Sequence, residues 1–299
     1  MYLDLGVDLH LFVEFLKEKK NLQQSSMRIY TDVVENFLMS YNDIYNLESY
    51  NDYIIKHAIK KRSNVAYSAL KTYIQYKIQD KSLQFTLIEG MIKPPIHQTA
   101  KIERKYLTEE QIIGMINNIK DEKHRTIALI QDLSGIRAGD VLRIKRGDIH
   151  PEVYEDKAVL KIITDGKGDK RNIVYIHDEI IQMLIINYIV NHFVSNEYYF
   201  MENKSRNINA DFKDYTNYRS NYIAYYRDLK QAMYKSGISH KDFATHDYRR
   251  CYARRVWTRY KDLHVLQELL NHANPATTMR YLKQSGMQNI DYHKEMQSK

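Results

Sequence analysis

Residues 157–176, KAVLKIITDGKGDKRNIVYI, decide the fold. The runs 157–163 and 171–176 are strand-like. Between them TDGKGDK is a polar turn in which Gly166 and Gly168 supply backbone freedom, so the stretch predicts a β-hairpin. Around it the chain reads as helix. Ser26, read as an N-cap, leads into Met27, Tyr30, Val33, Val34, Phe37 and Leu38 at three-and-four spacing, a second helix spans roughly 63–79, and long helical patterns resume at Asp178. Thr108 and Gln111 form a capping-box start for a helix whose apolar face holds Ile112, Met115, Ile116 and Ile119. The expected fold is therefore mainly α with a small β-sheet.

The 299 residues suit two domains, each long enough to bury its own core. The adjacent prolines 94 and 95 lie in MIKPPIHQTAKIERK, which reads as an extended basic linker because proline restricts its own backbone and that of the preceding residue. The expected boundaries are a helical domain over 1–90, a linker over 91–105 and a second domain over 106–299.

Lys and Arg number 45 against 37 Asp and Glu, a formal +8, and the excess lies wholly after residue 90. The densest basic segment, 241–260, holds six Lys and Arg against Asp242 and Asp247. A polyanionic partner fits that balance. Cys251 is the single cysteine, which excludes an intramolecular disulfide and a Cys-based zinc cluster and points to a reducing compartment. No apolar run approaches a membrane span, and the start MYLDLGVDLHLFVEF lacks the features of a signal peptide. The expectation is a cytoplasmic protein without a membrane partner.

Four segments of the second domain carry unusual chemistry. In LSGIRAGDVLRIKRGDI (133–149), Arg137 follows a glycine-containing turn at the start of a short helix, where guanidinium and backbone amides can face one anion. Lys167 stands between the two hairpin glycines and is able to protonate a leaving oxygen. In ATHDYRRCYARRVW (244–257), Thr245 reads as the cap, and His246 and Arg249 fall one turn apart, within reach of one phosphate. Arg250 is rotated about 100° away, better placed for DNA backbone or an acidic neighbour. In LHVLQELLNHANPATTMRYLKQ (263–284), His272 ends one helix, Pro275 suits the first turn of the next, and Tyr281 lies on that second helix. Each signal has an ordinary alternative: a solvated arginine, a turn lysine, a basic helix face, and one packing tyrosine among 26.

Together these segments resemble the tyrosine recombinase family of phage integrases and Xer-like enzymes. GIRAGDVLRIK is similar to its first arginine box, GKGDKRNIVYI to its lysine hairpin, HDYRR to its His-x-x-Arg box and LLNHANPATTMRY to its final box. The nine-residue interval from His272 to Tyr281 matches the family spacing. The resemblance covers about 105–285 specifically, whereas the N-terminal half resembles the family's core-DNA-binding domain more generically. Asp140 stands where the family more often has a glutamate supporting the first arginine.

The resemblance implies a helical core-DNA-binding domain and a mixed α/β catalytic domain forming a clamp around duplex DNA. It assigns Tyr281 as nucleophile, leaving a 3′-phosphotyrosine and a free 5′-hydroxyl without metal, ATP or other cofactor. Arg137 and Arg249 would neutralise the nonbridging oxygens, His272 would add a hydrogen bond, Lys167 would act as general acid, and His246 would orient the phosphate or assist proton transfer. Arg250, Arg254, Lys170 and Arg171 are candidate DNA contacts. Four protomers on two specific recombination sites are implied, with the tail SGMQNIDYHKEMQSK packing on a neighbour. Mobile-element or viral integration is the first reading and Xer-like dimer resolution the second. An arm-binding domain of the larger phage type is not expected before residue 7. A type IB topoisomerase and a non-catalytic DNA-binding protein are the remaining rivals.

Overall fold

The computed structural model describes residues 2–58, 63–94, 106–165, 171–192, 197–202, 213–272 and 274–284. The chain divides into two compact units, one of residues 1–101 with 210–215, the other of 102–209 with 216–299.

The first unit contains five described helices, α1 (Tyr2–Glu18), α2 (Gln24–Ser40), α3 (Leu47–Ala58), α4 (Ser63–Lys77) and α5 (Lys81–Gly90). The α2 helix begins two residues before the expected cap, with Gln23 at the N-cap and no side-chain cap bond, so Ser26 is helical. Its buried Met27, Val34 and Phe37 keep the anticipated three-and-four spacing. Tyrosines supply much of this core. Tyr50 and Tyr73 are buried, and their hydroxyls donate to the Ile44 carbonyl at 2.7 Å and to Asp8 Oδ2 at 2.9 Å. Ring area is thereby buried without stranding the phenol. At α5, Asp80 Oδ1 accepts from the amides of Ser82 and Leu83, which fixes the helix start.

The second unit opens with α6 (Glu109–Asn117), which has the reciprocal Thr108–Gln111 capping box and buries Ile112, Met115 and Ile116. Then come α7 (Glu122–Ser134) and the short α8 (Ala138–Leu142). An antiparallel sheet follows in the order β1 (Ile149–Tyr154), β2 (Lys157–Asp165), β3 (Arg171–Ile176). Leu160, Ile162 and Thr164 of β2 and Val174 and Ile176 of β3 are buried at two-residue spacing and turn one face inward, while Val159 is buried on the other face of β2. Strand β1 was not anticipated. It is an edge strand that tolerates Pro151, and a two-residue turn joins it to β2, with Glu155 and Asp156 at φ 48° and 59°. That geometry usually advertises itself through Asn-Gly or Asp-Gly, which this chain lacks there.

Helices α9 (Glu179–Asn191), α10 (Lys213–Lys235), α11 (Thr245–Tyr260), α12 (Leu263–Leu269) and α13 (Pro275–Gln284) complete the unit. Asp178 caps α9 by accepting from the Ile181 amide at 3.0 Å. One core unites α6–α11 with the sheet, and a smaller cluster of Ala253, Val256, Leu266, Leu270 and Leu282 holds α11, α12 and α13 together. Cys251 lies buried at the edge of the larger core, where burial pushes its thiol up to about 11. No described helix is long and apolar enough to cross a membrane.

Candidate active site

Arg137 is the N-cap residue of α8, directly after the turn that ends α7. Gly135 makes that turn at φ 67°, and a Cβ there would come within 2.5 Å of Tyr252 Cδ1, so both conformation and space require glycine. The Arg137 side chain is 41% exposed. Asp140, nearly buried on α8, ion-pairs with Arg137 at 3.6 Å and with Arg143 at 3.3 Å.

The α11 helix starts differently from expectation. Ala244 is its N-cap and Thr245 its first residue, because the Asp247 carboxylate reaches back to accept the Ala244 amide at 2.8 Å. Thr245 Oγ1 instead pairs with the Tyr222 hydroxyl at 2.9 Å. His246 is exposed on the first turn, whereas Arg249 is only 2% exposed, which rules out a merely solvated helix face. Arg249 donates from Nη1 to the Gly135 carbonyl at 2.9 Å and from Nη2 to the Leu270 carbonyl. One guanidinium thus joins the turn before Arg137 to the segment before His272.

His272 lies in the connector after α12, two residues beyond its C-cap Leu270. Asn271 takes the left-handed conformation at φ 48°. The amides of Asn271 and His272 donate to Glu268 and Gln267 carbonyls, the paired bonds of a Schellman ending. The buried imidazole pairs through Nδ1 with Thr278 Oγ1 at 2.9 Å. Thr278 is wholly buried on α13, and Leu282, four residues on, seats that helix in the small core. Tyr281 lies on α13 one turn beyond Thr278. Its backbone is described, but its side chain lies outside the described residues.

Electrostatics ties these groups together. Burial, then Arg249, then Arg137, push the His272 imidazole down to about 4, so it is neutral near pH 7. His246 is pushed below its ordinary value by the surrounding protein, then by Arg137 and Arg249, with Asp247 and Asp140 opposing. Both imidazoles feel both arginines, which puts Arg137, Arg249, His246 and His272 in one cationic neighbourhood suited to a phosphate.

The remaining anticipated residues divide. Lys167 and Lys170 lie outside the described residues, as do Gly166, Gly168, residues 95–105 of the linker and the tail 285–299. Arg171 is exposed at the start of β3, and its carbonyl accepts from Asn271 Nδ2 at 3.3 Å, so the hairpin base abuts the His272 connector. Arg250 is held by Asp247 at 2.7 Å and lies against Tyr106, to whose hydroxyl it donates at 3.2 Å. Arg254 is exposed, with its guanidinium 4.7 Å from the centre of the same ring. Sequence reasoning missed Thr278 and the carbonyls of Gly135 and Leu270. Thr278 alone had a signal, lying six residues from His272 in the same motif.

A sequence model of the phage integrase family matches residues 105–287. The chain belongs to the phage integrase family. It is a tyrosine recombinase, an enzyme of site-specific DNA recombination. Among curated members, this recombinase is 24% identical to a tyrosine recombinase of Thermosipho africanus over 96% of this chain and 99% of the relative. It is 25% identical to XerA of Thermococcus kodakarensis over 86% and 84%. With XerH of Campylobacter jejuni it shares 26% over 64% of this chain, spanning 49% of that relative. The fold resembles XerH bound to palindromic difH substrate in a post-cleavage complex (TM-score 0.62, 19% identity, 96% and 84% covered). It also resembles a lambda integrase dimer bound to a COC′ core site (TM-score 0.60, 13% identity, 92% and 76% covered).

Proposed function

We propose that this recombinase cleaves and rejoins specific duplex DNA sites through Tyr281, without metal or cofactor. The phenolic oxygen attacks phosphorus, the bond from phosphorus to the 5′-oxygen breaks, and a 3′-phosphotyrosine and a 5′-hydroxyl result. Attack of another 5′-hydroxyl reverses the step and returns the proton to Tyr281, so the phosphodiester bond energy is conserved. Arg137 and Arg249 stabilise the charge that grows on the nonbridging oxygens, and a neutral His272 donates one hydrogen bond there. Lys167 protonates the leaving 5′-oxygen, and His246 orients the phosphate or takes part in proton transfer. The observation that carries this reading is the convergence of two arginines and two histidines beside the helix bearing Tyr281.

The two units form a clamp on DNA in this proposal. The first binds the core site, 106–299 carries the chemistry, and Arg254, Arg171 and Lys170 contact phosphates with Arg250 in support. Four protomers act on two sites, the C-terminal tail linking neighbours, and the reaction takes place on DNA in the cytoplasm. The joined sites are those of a mobile element or virus. A second reading, Xer-like resolution of chromosome or plasmid dimers, is favoured by the curated relatives, several of which are named XerD, XerA or XerH. Sequencing the junctions formed in cells decides between the two.

The test of the chemistry uses duplexes selected from a random-sequence pool by binding to the full chain, then nicked so that the released fragment diffuses away. A denaturation-resistant adduct is expected with the native chain, mapping to Tyr281, and none with Tyr281→Phe, which still binds. An adduct in that variant moves the nucleophile elsewhere.

A further inference from the structure

Gln131 sits on the last turn of α7, fully buried, with both ends of its amide partnered. Nε2 donates to the carbonyls of Ile136 and Thr245, each at 3.3 Å, and Oε1 accepts from the Tyr225 hydroxyl at 2.7 Å. The orientation is dictated by chemistry: two carbonyls can only accept, so the amino end must face them. Tyr225 is itself fully buried, and burial raises its phenol well above the ordinary value, keeping it a donor.

The two carbonyls belong to the residues immediately before Arg137 and His246. A peptide carbonyl and the next residue's N and Cα share one rigid plane. Fixing those carbonyls therefore fixes where the chain emerges at Arg137 on one segment and at His246 on the other. Arg249 follows one turn after His246 and bonds back to Gly135, so the same spacing governs both guanidinia.

We propose that Gln131 is a positioning residue for strand cleavage, a buried amide that sets the separation between the Arg137 turn and the start of α11. This rests on the catalytic reading of Arg137, His246 and Arg249 given above. A satisfied core glutamine with no such role would stabilise the unit without selectively affecting the chemical step. A positioning residue acts on reaction geometry, where a displacement of about 1 Å can cost roughly a hundredfold in rate.

The test measures single-turnover adduct formation on the selected, nicked duplexes with the full chain. Gln131→Met keeps side-chain volume and removes the donors. Its cleavage is expected to fall roughly 10- to 100-fold while DNA affinity stays within about twofold. Wild-type cleavage by Gln131→Met overturns the proposal, and so does a loss of affinity equal to the loss of cleavage. Gln131→Glu serves if the Met variant does not fold. Its carboxyl donates one hydrogen bond when protonated and repels both carbonyls when ionised, so its rate relative to the native chain is expected to fall as pH rises. A pH-independent ratio overturns the proposal. Tyr281→Phe is run in parallel, and an adduct there defeats the catalytic reading, a result distinguishable from either outcome at Gln131.

Discussion

Acidification should destabilise the second unit through His272, and the structure gives the size of the effect. The imidazole's ordinary value of 6.5 is pushed down to about 4 by burial, then by Arg249 and Arg137. Below pH 6.5 the unfolded chain takes up a proton at this position that the folded chain refuses until about pH 4. Stability from this residue is therefore fully present above pH 6.5 and is lost progressively as pH falls towards 4. Each pH unit is worth about 1.4 kcal/mol, so the whole interval amounts to about 3 kcal/mol. Other groups titrate in the same range, so the measurement is a difference. Urea melts of the native chain and of His272→Gln, taken from pH 7 to pH 4, should diverge by about that amount, the native chain losing more. Parallel curves would refute the reasoning. Proton NMR supplies a second check, with the His272 ring titrating near 4 in the free protein. Inorganic sulfate, by screening the two arginines, should move that midpoint upward. A midpoint indifferent to sulfate would mean that the arginines are not the charges holding the imidazole neutral.

Three further substitutions test the Arg137 turn and the basic face of α11. Gly135→Ala incurs a left-handed backbone penalty of about 1–2 kcal/mol and a clash with Tyr252 of about 1–3 kcal/mol. Thermal or urea denaturation should show a loss of about 3 kcal/mol, with Tyr252→Ala in the same chain relieving the clash alone. Arginines 250 and 254, one turn apart on α11 and both against the Tyr106 ring, should part company. Arg254→Ala should lower the slope of log affinity against log salt by about 1 with little change in stability. Arg250→Ala leaves the buried Asp247 carboxylate without this partner, and should cost about 3 kcal/mol of stability while barely changing the slope.

Helix and strand periodicity made the first hairpin strand, α2, α4 and α6 readable, because burial in each follows a local spacing. Strand β1 escaped because Pro151 argues against a strand and its turn uses Glu155 and Asp156 in place of glycine. The caps at Ser26 and Thr245 were misplaced for a related reason. An N-cap hydroxyl is a permissive signal, and at Thr245 the competing bond comes from Asp247, which frees the hydroxyl for Tyr222.

The site divides along a chemical line. Residues assigned to face DNA are side chains of special chemistry, so they stand in short strings at fixed spacing and could be named from sequence. What holds them acts mostly on backbone carbonyls. Arg249 bonds to Gly135 and Leu270, and Gln131 to Ile136 and Thr245, with 114 residues separating each of the Arg249–Gly135 and Gln131–Thr245 pairs. Every residue supplies a carbonyl, so such a partner leaves no mark on the sequence, and only the folded chain reveals which one is used. The consequence for Tyr281 is specific. Its place in the motif follows from nine residues of spacing, but its helix is seated by Thr278 against His272 and by Leu282 in a core with Ala253 and Leu266. Changes at those seats should therefore alter the rate of cleavage without touching any residue that the motif identifies.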